Sequence, residues 1–384
     1  MLENRSIICF AHDWGGAPTS KTHIMRILAR RNRVLWVNSI AMRRPAASRS
    51  DINRLFSKLR RSMGGCREVE PNLFAVNPLV IPLPGVASAD RLNATILASM
   101  MRRLGRRLDL QKPILWSFLP TVSRLLGRLG EGMAIYHCVD EYSAFSGVPK
   151  SALIRMENEL VRRADLVLTS SEQLRDERVP LNPNTHFVPH GVHVDHFAQA
   201  LDARTPIPEE IAHLPKPIIG FMGLLADWVD LDLVRAIADA RPAWSIVLIG
   251  NATQDLSPLR NAPNVHLLGH KPYASLPGYC RGIDVGIIPF RINTLTVRAN
   301  PLKLREYLAA GLPVVSTPMP EVSRYSKLVR LATDPAEFVT CIEKALEERG
   351  EMLRTTRALS MMEEGWEARV EQMSTLIQGK LAAA

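Results

Sequence analysis

The chain has 384 residues, of which 46% are hydrophobic, and a formal net charge of +10 at pH 7. This length exceeds what one hydrophobic core usually holds, so we expect two domains. The sequence has no run of about 18 apolar residues and no signal-peptide pattern, which argues against a membrane-spanning helix and against secretion. The composition therefore predicts a folded, cytoplasmic protein.

Strand-like and helical segments alternate along the chain, which predicts α/β architecture with parallel sheets covered by helices on both faces. In the first half, the predicted strands are 7–11, 34–37, 73–76, 114–118, 134–138, 166–169 and 186–188. The predicted helices there are 22–30, 91–108, 122–129, 152–163 and a short one after Ser171. In the second half, the predicted strands are 218–222, 246–249, 265–268, 285–288 and 314–316. The predicted helices there are 231–240, 274–280, 301–310, 335–348 and a long one beyond Met352.

The domain boundary is predicted where periodicity fades, in a stretch that contains Pro206, Pro208, Pro215 and Pro217. We expect a first Rossmann-like domain at 1–198, a linker at 199–217 and a second Rossmann-like domain at 218–384. The terminal helix is expected to pack back on the first domain.

The cysteines are scattered without a CxxC pair, at Cys9, Cys66, Cys138, Cys280 and Cys341. This spacing favours free thiols in a reducing compartment and predicts neither disulfides nor a structural metal site.

The positive charge is concentrated in the first half, where 19 basic and 5 acidic residues lie between Lys21 and Lys112. Adjacent arginine pairs occur at Arg30-Arg31, Arg43-Arg44, Arg60-Arg61, Arg102-Arg103 and Arg106-Arg107. Anionic lipid attracts such residues by roughly 1 kcal/mol each, so we expect the first domain to contact the inner face of the cell membrane. Nucleic acid is not expected, because stacking residues do not interleave with the basic pairs. A merely solvated basic surface is the alternative.

The segment 300–316 has the pattern of a helix followed by a strand. Asn300 is a good N-cap and Gly311 a good stop. Lys303 would add positive charge beside the unpaired N–H groups of the first turn, which favours a phosphate. Glu306 follows three residues later and could accept hydrogen bonds from a ribose. The alternative is an ordinary amphipathic helix with a solvated Lys–Glu pair.

Polar clusters follow several predicted strands directly, where ligands of parallel sheets usually bind. The clusters are His12-Asp13-Trp14-Gly15-Gly16, Asp140-Glu141, Pro189-His190-Gly191, Gly223 and Gly269-His270-Lys271-Pro272. Each cluster alone is also compatible with a turn or a cap.

Together these motifs resemble the nucleotide-sugar glycosyltransferases of the two-Rossmann GT-B fold, specifically the bacterial enzymes of polysaccharide and lipid-linked glycan assembly. The resemblance covers nearly the whole chain and is strongest at 219–223, 247–250, 265–269 and 301–315. It implies two domains facing across a cleft, with the nucleotide-sugar donor on the second domain and a glycan acceptor, expected to be lipid-linked, on the first.

The resemblance also assigns residues. The nucleotide base would lie against the backbone near His270, Lys271 and Pro272, the ribose on Glu306, and the diphosphate at the segment from Asn300 to Lys303. Further donor contacts would come from Gly223, Arg298 and His190, and acceptor contacts from His12, Trp14, Gly15 and Gly16. No cofactor is expected beyond a UDP-sugar as substrate.

Two departures from the family pattern concern the diphosphate. Retaining members carry a glutamate where this chain has Arg298, and many place Arg and Lys after the first donor-domain strand, where this chain has 223–230. Lys303, helped by Arg298 or Arg291, would then neutralise the diphosphate.

These departures favour a subset that resembles the inverting glucuronosyltransferase of xanthan-type polysaccharide assembly. That enzyme has counterparts to His12-Asp13-Trp14 and to the strand from Tyr136 to Asp140. We therefore predict Asp140 as the general base, Asp13 as the second candidate, and Lys303 as the group that stabilises the leaving diphosphate. No metal is predicted, since Asp230-Leu231-Asp232 lies at a helix start and is interpreted as a cap.

Three other functions stay open from the sequence. A sugar-nucleotide epimerase shares this fold but needs no acceptor. A non-catalytic sugar-nucleotide-binding scaffold would bind the donor without turnover. A nucleic-acid-binding protein would show salt-sensitive binding to polynucleotide.

Overall fold

The computed structural model describes residues 1–39, 65–348 and 350–383. Arg43-Arg44 and Arg60-Arg61 lie outside this range. The chain divides into two compact units, an N-terminal unit of Met1–Pro189 with Arg369–Ala384 and a C-terminal unit of His190–Ala368. The domain limits derived from the sequence, 1–198, 199–217 and 218–384, stay predictions.

The N-terminal unit is built on an eight-stranded sheet, counted over the described residues, with the order β3-β4-β2-β1-β5-β6-β7-β8. The strands are β1 (Ser6–Phe10), β2 (Arg33–Val37), β3 (Cys66–Glu70), β4 (Leu73–Val76), β5 (Ile114–Ser117), β6 (Met133–Cys138), β7 (Leu166–Thr169) and β8 (Thr185–Phe187). Every neighbouring pair is parallel except β3 and β4. The central strands are buried on both faces, as their continuous apolar runs predict.

Helices cover this sheet, namely α1 (Ser20–Ala29), α2 (Ala87–Arg107), α3 (Lys150–Arg163) and α4 (Glu172–Arg178). The helix predicted at 122–129 is instead a 3-10 helix at Pro120–Leu125, and a second 3-10 helix spans Tyr142–Ala144. One apolar core lies between α2, α3 and the sheet, and includes Leu97, Met101, Leu115 and Tyr136.

The C-terminal unit has a six-stranded parallel sheet, as far as it is described, with the order β11-β10-β9-β12-β13-β14. The strands are β9 (Ile218–Met222), β10 (Ser245–Ile249), β11 (Val265–Gly269), β12 (Val285–Ile288), β13 (Val314–Ser316) and β14 (Val329–Leu331). The helices that begin in this unit are α5 (Val194–Ala198), α6 (Glu209–Ala212), α7 (Leu231–Ala240), α8 (Leu276–Gly282), α9 (Leu302–Ala309), α10 (Pro320–Ser323), α11 (Pro335–Leu346), α12 (Glu351–Leu359) and α13 (Trp366–Ala382). Apolar clusters pack against both faces of the sheet. The predicted α/β fold with two Rossmann-like halves is confirmed.

The long helix predicted beyond Met352 is two helices, α12 and α13. A 3-10 turn at Met362–Glu364 and Gly365 separate them. α13 begins in the C-terminal unit, and from Arg369 onward it belongs to the N-terminal unit. Val370, Met373 and Ile377 are buried there.

Candidate functional site

Three glycines lie where β9, β10 and β11 end. The Gly223 amide donates to Ile249 O at 2.8 Å, and the Gly250 amide donates to Gly269 O at 2.8 Å. Gly250 has φ +148°, and a Cβ added to it would lie 1.8 Å from Gly223 O. Only glycine permits this backbone approach, so the strand ends form a surface without side chains.

Lys303 lies over this surface. Its Nζ is 2.7 Å from Glu306 Oε2, and the Glu306 side chain is 11% exposed. A Cβ added to Gly223 would lie 3.5 Å from Lys303 Cε. The structure therefore brings together Gly223, Lys303 and Glu306, which the sequence assigned to one ligand.

The helix that carries these residues is anchored from its buried face. The Met222 amide donates to Tyr307 Oη at 2.7 Å, which ties α9 to the end of β9. Gly286 makes room for the Tyr307 ring, because a Cβ there would lie 2.8 Å from Tyr307 Cδ2. α9 ends as predicted, since Gly311 adopts φ +75° directly after the final turn.

Asn300 has a different role from the predicted N-cap. Pro301 occupies the cap position of α9, and the Asn300 side chain accepts a hydrogen bond from Arg305 Nη1 at 2.6 Å. Arg305 is 1% exposed and also donates to Tyr325 Oη at 2.8 Å and Glu364 Oε2 at 2.9 Å. A buried arginine thus fixes the segment that leads into α9.

Sequence reasoning missed His196 and Tyr273 at this site. Their rings stack at 4.4 Å between centroids, and His196 Nε2 lies 3.0 Å from Tyr273 O. Burial lowers the pKa of His196, and the charge of Glu306 acts in the opposite direction. His196 lies on α5, just before the stretch that the prolines mark as a boundary, and no local motif distinguishes it.

The other predicted donor residues have local contacts or are exposed. His270 is exposed, and Lys271 Nζ pairs with Glu210 Oε1 at 2.5 Å. Arg298 donates to Thr294 O at 2.8 Å, and the buried His190 ring lies 6.2 Å from Trp366. No donor role is established for any of them.

The Asp230-Leu231-Asp232 segment forms a helix cap, as predicted. Asp230 is the N-cap of α7 and accepts from the amides of Asp232 and Leu233, both at 3.2 Å. Arg291 pairs with Asp230 and Asp232 at 3.3 and 3.0 Å. Arg291 therefore contributes to the charge pairing of this cap, and its help with the diphosphate stays a prediction.

In the N-terminal unit, Asp140 follows the end of β6 and is partly buried. Burial raises the pKa of Asp140 to about 6, and the nearby positive charge of Lys21 acts to lower it. The sequence did not single out Lys21, because a lysine at a helix start usually faces solvent. A carboxylate with a pKa near neutrality can accept a proton and release it again during a reaction.

A buried ion-pair network fixes the loop of Asp140. Arg178, on α4, donates to Glu141 Oε2 at 3.1 Å and to Glu157 Oε1 at 3.0 Å. The Tyr136 hydroxyl, on β6, also donates to Glu157 Oε1, at 2.8 Å. Glu141 therefore acts in this network, directly beside Asp140.

The cluster after β1 is divided between structural contacts and open surface. Asp13 Oδ1 accepts from the Ser39 amide at 3.0 Å, and its role as the second candidate base stays a prediction. The Trp14 ring packs edge-on against Trp36 at 5.0 Å. Burial lowers the pKa of His12 to about 4, so its imidazole is neutral. Gly15 and Gly16 are exposed, and an added Cβ on either would meet nothing within 4 Å.

The described ranges contain neither a metal-ligating cluster nor a membrane-spanning helix. No group of three or more His, Cys, Asp or Glu side chains there could hold a metal ion. None of the helices in this part of the chain is both long and apolar enough to cross a bilayer.

Residues 216–348, which contain Gly223, Lys303 and Glu306, match the family described as "Glycosyl transferases group 1". Over 257 residues, the chain is 26% identical to "Putative teichuronic acid biosynthesis glycosyltransferase TuaH" of Bacillus subtilis strain 168. The match covers 62% of this chain and spans only 64% of that relative.

Solved structures show a likeness of fold over both units. Anabaena HepE, solved with UDP and glucose, gives a TM-score of 0.68 at 14% identity and covers 98% of this chain and 100% of that chain. Sucrose-phosphate synthase of Thermosynechococcus elongatus gives a TM-score of 0.70 at 14% identity. That match covers 99% of this chain and 100% of the other chain. The trehalose-6-phosphate protein of E. coli, bound with UDP-2-fluoro glucose, gives 0.63 at 14% identity, with 98% of both chains covered. The predicted GT-B fold is confirmed, and the resemblance to the xanthan-type enzyme stays a prediction.

Proposed function

We propose that this chain is a glycosyltransferase of polysaccharide biosynthesis that transfers a sugar from a UDP-sugar to a glycan acceptor, without a metal ion. The observation that carries the proposal is the placement of Lys303 and Glu306 over the glycine surface at Gly223, inside the segment that matches the glycosyltransferase group 1 family. The UDP ligands of HepE support this donor class.

In this proposal, Lys303 and the amino end of α9 bind the diphosphate, and Glu306 accepts hydrogen bonds from the ribose. The acceptor hydroxyl attacks the anomeric carbon as Asp140 takes its proton. The bond from that carbon to the diphosphate breaks, and UDP leaves with the electron pair. Lys303 stabilises the negative charge that develops on the departing oxygen. Attack from the face opposite the diphosphate inverts the anomeric configuration.

The donor assignment is tested by thermal unfolding with UDP, GDP, ADP and dTDP. A ligand at about 100 times its Kd adds roughly 2.7 kcal/mol of stability, so UDP should raise Tm selectively. Lys303→Ala should lose this response. The exposed Lys327, in the same unit, provides the matched control Lys327→Ala, which should keep it. No response to any of the four nucleotides contradicts the proposal, and a UDP response without transfer supports the scaffold alternative.

The ribose assignment has its own test. If Glu306 binds the ribose hydroxyls, 2′-deoxy-UDP should bind wild type more weakly than UDP does. Glu306→Gln should reduce that difference, because it replaces the carboxylate that distinguishes the two ligands by an uncharged amide. An unchanged difference would remove Glu306 from the ribose.

We also propose that the acceptor is lipid-linked and that the N-terminal unit contacts anionic membrane lipid at the inner face of the cell membrane. The outer side of α2 supports this, because it exposes Leu92 and Ile96 by 49% and 38%. The same helix exposes Arg102, Arg103, Arg106 and Arg107. Leu79 and Leu83, in the segment before α2, are also exposed. Apolar side chains beside arginines suit insertion at a negatively charged lipid surface.

Vesicle sedimentation tests the membrane contact, with phosphatidylglycerol mixed into phosphatidylcholine and phosphatidylcholine alone as reference. Wild type should sediment with the anionic vesicles. Replacing the four α2 arginines by Gln should release the protein, whereas Arg155→Gln with Arg162→Gln, on the exposed face of α3, should not. Equal release by both sets would indicate a diffuse charge effect and contradict the α2 assignment.

A further inference from the structure

Lys21 has a setting unlike that of an ordinary surface lysine. It lies in the first turn of α1, which contains no acidic residue. Its Nζ lies 5.9 Å from the centroid of the Phe118 ring and 5.8 Å from that of Tyr142. These rings follow β5 and β6, so the ammonium faces the carboxyl ends of two central strands, within cation–π range of both rings.

Buried aromatic side chains lie next to the Phe118 ring. Trp116 and Phe118 alternate with the core residue Leu115 and therefore share one face of the sheet. His137, on the neighbouring strand, lies 4.9 Å from Phe118 and 6.1 Å from Trp116 between ring centroids. Trp116, Phe118 and His137 are at most 1% exposed. We call Lys21, Trp116, Phe118, His137 and Tyr142 the Lys21 cluster.

Three polar atoms of this cluster have no hydrogen-bond partner within the described part of the chain. They are Trp116 Nε1, His137 Nδ1 and the Tyr142 hydroxyl. Buried polar groups are nearly always paired, because they lose water on folding. The indole N–H can only donate, and the phenol can donate, so the missing partner must accept hydrogen bonds. An anionic oxygen accepts several hydrogen bonds and also matches the charge of Lys21.

Asp140, at the edge of the cluster, favours a hydroxyl group and not an anionic group. The charge of Lys21 acts on the pKa values of both Asp140 and His137, so all three groups lie within electrostatic reach. A carboxylate would accept a hydrogen bond from a hydroxyl rather than bind an anion. The neighbourhood thus suits a sugar that carries an anionic group close to a free hydroxyl.

We propose that the Lys21 cluster binds an anionic group, either a carboxylate or a phosphate, on the acceptor sugar beside the hydroxyl that Asp140 deprotonates. This proposal rests on the proposed function for the identity of the ligand as an acceptor. It names the acceptor class, an acidic or phosphorylated sugar, and it makes Lys21 a specificity-determining residue.

The test follows the Trp116 indole proton by NMR in the full ¹⁵N-labelled chain, with the resonance assigned from Trp116→Phe. The probes are glucuronate, glucose 6-phosphate and glucose at matched ionic strength. One of the anionic sugars should shift the indole proton downfield with saturation, and the one that binds more tightly identifies carboxylate or phosphate. Glucose should bind at least tenfold more weakly.

Variants separate a specific site from general charge. Lys21→Met should weaken binding of the anionic probe at least tenfold, and Lys21→Arg should keep most of the NMR response. Lys150→Met, an exposed lysine in the first turn of α3, serves as the matched control. If Lys21→Met fails to fold, Tyr142→Phe carries the test, because it removes only the unpaired hydroxyl and should still weaken binding.

Equal responses to glucose and the anionic sugars, or a full response in Lys21→Met, would overturn the proposal. So would the absence of any response to both anionic probes. UDP binding by thermal shift is measured on the same samples. A protein that binds UDP but neither anionic sugar loses this inference alone, whereas loss of UDP binding concerns the proposed function.

Discussion

Arg178 Nη2 donates at 3.1 Å to Oε2 of Glu141, the residue that follows Asp140 in sequence. Both side chains are nearly buried, and Glu157 accepts from the same guanidinium. Removing one partner of a buried ion pair leaves a charge without compensation, which typically costs about 3 to 5 kcal/mol. The network therefore makes the loop that carries the proposed base part of the folded core.

We expect Arg178→Met to lower the free energy of unfolding by about 3 kcal/mol or more, because two carboxylates would lose their buried partner. Arg175→Met is the control, since that guanidinium is 35% exposed and pairs at the surface. Denaturant unfolding of both variants measures the difference. A loss below about 1 kcal/mol in Arg178→Met, in line with a surface pair, would contradict the structural role.

The second prediction concerns pH and Asp140. A general base must be ionised, so transfer should rise as pH increases through about 6, the pKa of this carboxyl in the folded protein. Asp140→Asn should reduce the rate by at least about 10². Initial rates between pH 5 and 8 provide the profile. A flat profile in a chain that still requires Asp140 would indicate another role for the carboxylate.

The same pKa also predicts an effect on stability. Because folding raises the pKa of Asp140 above its usual 3.8, the folded state favours the neutral form and its stability falls as pH rises from about 4 to above 6. Asp140→Asn should therefore stabilise the protein at pH 7.5, by up to about 3 kcal/mol at 1.36 kcal/mol per pKa unit. Near pH 4 the two proteins should be nearly equal. Denaturant unfolding at both values checks this, and a destabilised Asp140→Asn at pH 7.5 would contradict it.

The glycine contact beneath the proposed donor site gives a fourth expectation. Gly250→Ala should abolish the thermal response to UDP, because its Cβ would displace the Gly223 backbone, which lies beside Lys303. Gly379→Ala is the control. Gly379 lies on α13, and a Cβ added there meets nothing within 4 Å. Binding that survives in Gly250→Ala would mean that the strand ends can separate without consequence for the ligand.

Arg305 is expected to act as a positioning residue for α9, the helix that carries Lys303 and Glu306. Arg305→Lys should raise KM for the donor more than it lowers kcat, since a lysine cannot hold Asn300, Tyr325 and Glu364 at once. Asn300→Asp should partly restore KM in that background if the contact to this side chain matters. A pure loss of kcat with unchanged KM would contradict the positioning role.

The strand ends and α9 could be predicted because their signals are local. A continuous apolar run, a proline at a helix start and a glycine at its end each act within a few residues. Lys303 and Glu306 could be predicted to lie together for the same reason, as they share one helical turn.

The rest depends on contacts that local patterns do not contain. Arg178 meets Glu157 across 21 residues of sequence, and Lys21 meets rings from two later segments. Cys66–Glu70 was missed as a strand because it lies at a sheet edge and exposes polar side chains. The 3-10 helix at Pro120–Leu125 appears where the apolar spacing suggested an ordinary α-helix.

The path of α13 affects the order in which the protein can be completed during translation. The ribosome makes the whole C-terminal unit before it reaches Arg369, yet the segment from Arg369 onward belongs to the N-terminal unit. Val370, Met373 and Ile377 are covered in that unit. A nascent chain halted before Arg369 would therefore expose the apolar surface that these side chains cover. Such exposed apolar surface promotes chaperone binding or aggregation.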